Sequence, residues 1–149
     1  MPCRFAPLKL SLIAAAILTT GCMEDVDVSS QDKYRHLIGS KFEVIGRVDA
    51  YGIRDHSGAP VDYVTLMPPP GIGGSQIAFV RSVPSGSKVT VKKVLKTGRV
   101  FDPDKTLLVH LEAAGNDYEV PVRIELFRGN EGRGDAGINP SLYRPLEPK

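Results

Sequence analysis

The stretch that decides the fold is Lys88–Lys96, KVTVKKVLK. Its first half alternates valine with polar residues, which is the pattern of a β-strand with one buried face. The alternation then slips, because Lys93 falls where an apolar residue is due and Val94 follows it. One extra residue at Lys92 or Lys93 restores the phase, and such an insertion is a β-bulge. The pattern predicts a bent strand with both lysines facing solvent, as a small barrel requires.

Similar β-rich stretches flank this strand on both sides. The clearest is a hairpin, in which Thr106–Ala113 and Tyr118–Phe127 flank a turn at Ala114–Asp117. Pro121 has no N–H to donate, so we expect the second strand of the hairpin to begin at a sheet edge. Three further stretches precede Lys88 and are separated by turn residues; they are Phe42–Ile53, Val61–Met67 and Gln76–Val83. The chain therefore predicts about six strands.

A single short helix precedes the strands. Gln31–Ile38 carries its apolar residues at helical spacing, with Ser30 as the expected N-cap and Gly39 where the helix ends. At the other end the chain becomes glycine-rich and polar from about residue 128, and we expect a flexible C-terminal segment. Within it, Asn139–Tyr143 predicts one helical turn, and the prolines around it argue against another strand.

Short strands, one helix and no alternation of strands with long helices predict an all-β domain, either a small barrel or a β-sandwich. The segment Gln76–Leu95, with its turn and strand PSGSKVTVKKVL, resembles a stretch of the bacterial SH3-like barrels. The resemblance implies an SH3-like barrel as the finer fold, and no functional residue is transferred on it. Residues 31–149 suffice for one such domain and not for two.

The N-terminus has the pattern of an export signal. Two basic residues precede a compact apolar run, Leu10–Leu18, and small residues lead from that run to Cys22. This order is typical of a secretory signal, and the run is shorter than the roughly 20 residues that cross a bilayer. We therefore expect residues 1–21 to be a signal peptide and the acidic, polar residues 22–30 to be a tether.

The segment Thr19–Cys22, TTGC, resembles the lipobox of bacterial lipoproteins, in which the cysteine is acylated and becomes the mature N-terminus. The resemblance implies that Cys22 carries lipid and that the membrane is a partner. Thr19 stands where the lipobox usually has leucine, which bears on the efficiency of processing. Met23 rather than aspartate follows the cysteine, which in this family implies the periplasmic face of the outer membrane. The alternative is an ordinary secretory signal cut near Ala16 or Cys22.

Cysteine usage agrees with lipidation. Cys3 leaves with the signal, so Cys22 is the only cysteine of the exported chain and no intramolecular disulfide is possible. An unpaired cysteine in an exported protein calls for an explanation. A thioether-linked lipid at Cys22 supplies one, because it leaves no free thiol.

Charge is balanced in the chain that follows the signal, with 17 basic and 17 acidic residues, but it is unevenly distributed. Residues 63–101 contain no acid and six bases, which are Arg81, Lys88, Lys92, Lys93, Lys96 and Arg99. Such a block either meets an anionic surface or is neutralised by acidic neighbours in space. Nucleic-acid binding is not expected, because the chain is exported and lacks an aromatic-rich basic platform.

Catalytic, metal or cofactor chemistry is not predicted. The three histidines, His36, His56 and His110, stand neither beside a nucleophile motif nor at metal-ligand spacing. Asp102–Asp104 offers two carboxylates, whereas calcium takes 6–8 oxygen ligands. The loop Pro68–Ser75, PPPGIGGS, lacks the Gly-Lys-Ser/Thr and the helix of a phosphate-binding loop.

These observations predict a lipid-anchored envelope lipoprotein that acts as a non-catalytic binding or accessory module for a protein, a peptide or the cell wall. The candidate contacts are Ile72, at the tip of an exposed loop, and the lysines Lys92 and Lys93. One alternative is a structural or toxin-blocking envelope lipoprotein. The other is a small periplasmic enzyme acting on cell-wall material. That enzyme would need a cleft beside one of its candidate acid–base residues, which are His56, His110, Asp55 and Asp62.

Overall fold

The computed structural model describes residues 25–97, 105–126 and 137–146. The predicted signal, Cys22, Asp102–Asp104 and the start of the expected flexible C-terminal segment lie outside these residues. The strands are β1 (Val26–Asp27), β2 (Lys41–Val44), β3 (Val48–Ile53), β4 (Tyr63–Met67), β5 (Ile77–Val83), β6 (Lys88–Lys96), β7 (Lys105–Glu112), β8 (Val122–Glu125) and β9 (Tyr143–Pro145). The helix is α1 (Asp32–Arg35).

All nine strands belong to one mixed sheet in the order β5-β3-β4-β8-β7-β6-β2-β9, with β1 beside β6. Only the pair β4–β8 is parallel among the pairs formed by the described strands. In this order four strands stand between β2 and β3, which would place them about 24 Å apart in a flat sheet. Three residues connect the two strands, so Val44 and Val48 are at most about 14 Å apart. The sheet must therefore curl back on itself.

The all-β prediction is confirmed, but the expected strand number of about six is wrong. The stretch Phe42–Ile53 is two strands, because the chain leaves the sheet between Val44 and Val48. There the N–H groups of Ile45 and Gly46 both donate to the Leu142 carbonyl, at 2.8 and 3.1 Å. The remaining difference comes from β1 and β9, which are too short to show an alternating pattern. One mixed sheet with a parallel pair gives no support to an SH3-like barrel.

The predicted bulge in β6 is confirmed. Val91 pairs with Val109 and Lys93 pairs with Leu108, so Lys92 is the extra residue of the ladder. Both Lys92 and Lys93 are exposed, whereas the three valines of β6 are fully buried. The bulge therefore restores the inward phase of the strand, as the sequence pattern predicts.

The predicted hairpin pairing is confirmed, because β7 and β8 are antiparallel with Val109 opposite Val122. The second strand begins later than predicted, at Val122 rather than Tyr118. The edge position expected from Pro121 is wrong, because β8 lies between β7 and β4. Pro121 precedes the strand, and its carbonyl accepts a hydrogen bond of 2.8 Å from the N–H of Val64. Proline lacks only the donor, so its carbonyl can still join a ladder inside the sheet.

Residues 25–30, the described part of the expected tether, lie on the domain. Val26 and Asp27 form β1 against the end of β6, and Val28 is buried. The N–H of Val28 donates to the Val94 carbonyl at 2.9 Å. The hydroxyl of Ser29 accepts a hydrogen bond from the Val94 N–H, also at 2.9 Å. The polar composition hid this docking, because both residues of β1 are exposed and Val28, which follows them, is the one buried side chain of residues 25–30.

The helix is shorter than predicted. It covers four residues, and its N-cap is Gln31 rather than Ser30, with no side-chain capping hydrogen bond. Gly39 follows the helical turns at a φ of +80°, the left-handed backbone that glycine tolerates best at a helix end.

The C-terminal segment contains both the predicted turn and an unexpected strand. The N–H groups of Leu142 and Tyr143 donate to the Asn139 carbonyl, which confirms the turn. The prediction that no strand follows is wrong, because β9 pairs with β2 with Tyr143 opposite Val44. Pro145 is tolerated because β9 is the last strand of the sheet and no described strand pairs with its other edge.

The inner face of the curled sheet holds one hydrophobic cluster, to which every strand from β2 to β9 contributes. Residues from both halves of the sheet meet in it, including Val44, Val64, Val89, Leu107 and Tyr143. A single cluster of this kind explains how the described domain is stable without a disulfide.

Two adjacent leucines of β7 test which face of the sheet carries this stability. Leu107 is fully buried, and Leu107→Ala is expected to lower the free energy of unfolding by about 2–5 kcal/mol through lost burial and the cavity left behind. Leu108 is half-buried on the other face, so Leu108→Ala is the matched control and should cost clearly less. Denaturant unfolding of both variants measures the difference, and equal losses would contradict the assigned inner face.

Candidate functional site

A cleft of about 660 Å³ lies on the outer face of the sheet, where it crosses β3, β4, β8 and β7. On β4 it is lined by Tyr63, Thr65 and Met67, whereas Val64 and Leu66 point to the core. One end of the cleft is mainly apolar, with Ile53 opposite Ile77 in the β3–β5 pair. Ile72 of the Pro68–Ser75 loop and Gln76, next to Ile77, also line the cleft. The other end is polar and is lined by Asp25, Thr97, Thr106, Arg123 and Glu125. The volume lies within the range of small-molecule sites.

The loop Pro68–Ser75 forms the wall at the apolar end. The Tyr51 hydroxyl donates a hydrogen bond of 3.2 Å to the Pro70 carbonyl, and the loop covers the tyrosine so that it is buried. A Cβ at Gly71 would overlap the Tyr51 ring, and the φ of Gly71 is +63°, so this close approach requires glycine. The anchored loop holds Ile72 at the lip of the cleft with 45% of its surface exposed.

The N-terminal segment forms the wall at the polar end. Asp25 Oδ2 lies 2.6 Å from Arg123 Nη1, and both side chains are mostly buried. Asp27 Oδ2 lies 3.2 Å from Lys93 Nζ, in a pair that is about half exposed. Hydrogen bonds from the side chain and backbone of Ser29 lower the pKa of Asp27, and Lys93 adds a smaller effect. Two ion pairs thus tie residues 25–27 to the sheet.

Arg123 is the centre of the polar end. Its guanidinium carbon lies 4.4 Å above the centroid of the Tyr63 ring, a cation–π contact that orients the group. Nη1 is engaged by Asp25, whereas Nε is buried and has no hydrogen-bond partner among the described residues. The buried hydroxyls of Thr97 and Thr106 also lack a partner within that part of the chain. Three buried polar groups that lack a partner among the described residues therefore line one cleft.

Such groups point to a ligand. Buried polar atoms in folded proteins are nearly always hydrogen-bonded, and leaving one unpaired costs about 1–3 kcal/mol. A ligand that brings oxygen atoms to Arg123 Nε and to the two hydroxyls would recover these bonds. The cleft lining holds no histidine or cysteine, and Arg123 engages the Asp25 carboxylate. The arrangement offers hydrogen bonds and apolar contact to a ligand.

The structure places the predicted contacts in different clefts. Ile72 lines the large cleft, whereas Lys92 lines a shallower depression of about 310 Å³ together with His110 and Asp117. Lys93 is paired with Asp27 beside β1. The bases of residues 63–101 are likewise split, because Arg81 lies on β5 with its guanidinium carbon 4.7 Å above the Phe79 ring, while the lysines lie on β6.

Of the candidate acid–base residues, His110 alone lines a described cleft. The hydroxyl of Tyr118, in the same depression, donates to Asn116 Oδ1 at 2.7 Å. Burial raises the pKa of Tyr118, and the positive charge of Arg81 opposes this effect. His56 is exposed in a turn and His36 is exposed after α1. No group of three His, Cys, Asp or Glu residues in the described ranges could hold a metal ion.

Sequence reasoning found Ile72 but missed Asp25, Thr97, Thr106 and Arg123. The alternation of Arg123 with Val122 and Ile124 predicts only that its side chain faces outward. Its partners were hidden because β8 pairs in parallel with β4, a strand more than 50 residues earlier. No local signal predicts that pairing.

Comparisons of the chain with protein-family models, curated proteins and solved structures give no match. Among the described residues, none lies in a helix with the length and apolarity that crossing a membrane requires. The function must therefore be argued from the cleft and from the sequence.

Tyr143 offers a pH test of the packing at one end of the sheet. It lines an apolar cleft of about 260 Å³, and its buried hydroxyl has no partner among the described residues. Burial raises the pKa of Tyr143 far above its ordinary value of 10.0. Above about pH 10 the folded state therefore keeps a proton that the unfolded state releases. The contribution of Tyr143 to the free energy of unfolding is fully present below about pH 10 and is lost as the pH rises further.

We expect denaturant unfolding of the wild type to show stability falling above about pH 10. The variant Tyr143→Phe should show a shallower fall, because it removes the group that titrates. Tyr118→Phe should change the profile less, because burial also raises the pKa of Tyr118 but that side chain is less buried than Tyr143 and its hydroxyl is hydrogen-bonded. Identical pH profiles for wild type and Tyr143→Phe would contradict the assignment.

Proposed function

We propose that this chain is a lipid-anchored envelope lipoprotein at the periplasmic face of the outer membrane, acting as a non-catalytic binding module. The observation that carries the binding function is the outer-face cleft. Three buried polar groups without described partners, at Arg123, Thr97 and Thr106, face one cleft whose other end is apolar. A site with a few convergent polar groups and apolar walls is the usual form of a ligand-binding site.

The position of the N-terminal segment supports the link between anchor and cleft. Asp25 lines the cleft, and only Met23 and Glu24 separate it from Cys22. Three residue steps span at most about 11 Å. An acylated Cys22 would thus hold the cleft close to the membrane surface.

The lysines of the bulge form a second candidate contact for a protein, peptide or cell-wall partner. Lys92 and Lys93 are exposed side by side, and Lys93 is already paired with Asp27. A partner that used these charges would bind more weakly at higher salt, because exposed charges are screened.

Lipidation is tested by substitution of Cys22. We expect native protein to sediment with membranes and to show an intact mass that includes acyl groups on residue 22. Cys22→Ser should remove both properties, because serine cannot form the thioether. Cys3→Ser is the matched control, since that cysteine leaves with the predicted signal. A native product with an unmodified residue 22, or with the leader still attached, would contradict the proposal.

The lysine contact is tested by affinity capture from envelope extract. The double variant Lys92→Glu, Lys93→Glu should retain less of a partner that binds at the bulge. The control is Lys33→Glu, Lys41→Glu, which reverses two exposed lysines on α1 and β2. Equal recovery of the partner by both double variants would exclude Lys92 and Lys93 as contacts and leave the cleft as the candidate binding site.

A further inference from the structure

The apolar end of the cleft suits an aliphatic group. Its apolar lining comes from Ile53, Ile72 and Ile77, and the amide nitrogen of Gln76, beside Ile77, donates to the Asp55 carbonyl at 3.1 Å. The aromatic ring that lines the cleft, that of Tyr63, is covered by the Arg123 guanidinium at 4.4 Å. That face is not free to stack on a sugar or a base. Contact at this end is therefore made mainly by isoleucine surfaces, which match an acyl chain.

The hydrogen-bond donors at the polar end of the cleft favour a ligand with acceptor oxygens. Arg123 Nε–H can only donate a hydrogen bond, and each threonine hydroxyl can donate one. None of the three has a partner among the described residues. A ligand head with carbonyl oxygens would accept from all of them.

The charges around this end favour an uncharged head. The positive charge of Arg123 is already balanced by Asp25, at 2.6 Å. Glu125 adds a second carboxylate to the lining, so the charged side chains of the cleft sum to a negative value. A carboxylate or phosphate head would meet net repulsion, whereas an ester or amide carbonyl would not.

We propose that the outer-face cleft binds an uncharged acyl lipid, with its aliphatic chain against Ile72 and the oxygens of its head, an ester or amide carbonyl among them, at Arg123 Nε and the threonine hydroxyls. The binding chemistry stands on the cleft alone. The source of the ligand rests on the proposed function, because an anchor at Cys22 holds Asp25 within about 11 Å of the acylated residue and so sets the cleft beside a bilayer.

The test uses the mature chain carrying Cys22→Ser, which removes the anchor and keeps every residue of the cleft. A fluorescent acyl probe is displaced by monolauroylglycerol or by laurate, both below their micelle concentrations. We expect monolauroylglycerol to bind at least about tenfold more tightly than laurate, which corresponds to about 1.4 kcal/mol. Tighter binding of laurate, or no displacement by monolauroylglycerol, would overturn the proposal.

Two substitutions test where the acyl chain and the polar head of the ligand bind. Ile72→Asp should weaken monolauroylglycerol binding at least about tenfold, because it places a charge against the acyl chain. Val80→Asp is the matched control: Val80 is 53% exposed on β5 and does not line the cleft. Thr106→Val should weaken binding about fivefold by removing one hydrogen bond of the head. Equal losses from Ile72→Asp and Val80→Asp would indicate nonspecific adsorption and reject the site.

Asp25→Asn tests the charge argument directly. Because this substitution leaves the Arg123 guanidinium without its carboxylate partner, laurate should bind more tightly. The ratio of the laurate Kd to the monolauroylglycerol Kd should therefore fall. An unchanged preference would refute the role of Asp25 in selecting an uncharged head. These measurements need no lipid on residue 22, so their failure is distinct from failure of the lipoprotein proposal, which the intact mass decides.

Discussion

The short connection between β2 and β3 is the constraint on which the rest of the structure depends. Three residues join strands that have four other strands between them in the sheet, so the sheet curls until its two halves share one core. The two N–H groups freed at this corner, of Ile45 and Gly46, are both taken by the Leu142 carbonyl. The bulge at Lys92 complements the corner by bending β6 while keeping its valines inside. Curling gives each strand an inner, apolar face and an outer face open to other uses.

The outer cleft is a consequence of this arrangement and of two local contacts. On one side, Tyr51 and Gly71 bring the Pro68–Ser75 loop down onto the sheet and raise Ile72 at its lip. On the other side, the pair between Asp25 and Arg123 draws the N-terminal segment across the sheet. The same ion pair builds a wall and balances the positive charge of Arg123. In the lipoprotein we propose, the residues that shape the cleft are also the residues next to the anchor.

Several features of the fold could be predicted because they depend on neighbours in the sequence. The bulge was visible as a phase slip at Lys93, and the hairpin was visible as two alternating stretches around a turn. The edge position predicted from Pro121 is wrong because proline lacks only the N–H donor. The carbonyl of Pro121 still accepts a hydrogen bond inside the sheet. The two shortest strands, β1 and β9, were not predicted, because each pairs with a strand that is distant in the sequence.

The sequence by itself determined the all-β class, the bulged strand and the exposure of Lys92 and Lys93, because these depend on the alternation of side chains along a strand. It also determined the exposure of Ile72, because that residue lies at the tip of a Pro- and Gly-rich loop. Only the tertiary structure decided that Asp25, Thr97, Thr106 and Arg123 meet in one cleft while the lysines lie elsewhere. The parallel pairing of β4 with β8 and the docking of residues 25–28 create that meeting. Both join distant segments, and their free energy comes from the shared core rather than from any local pattern.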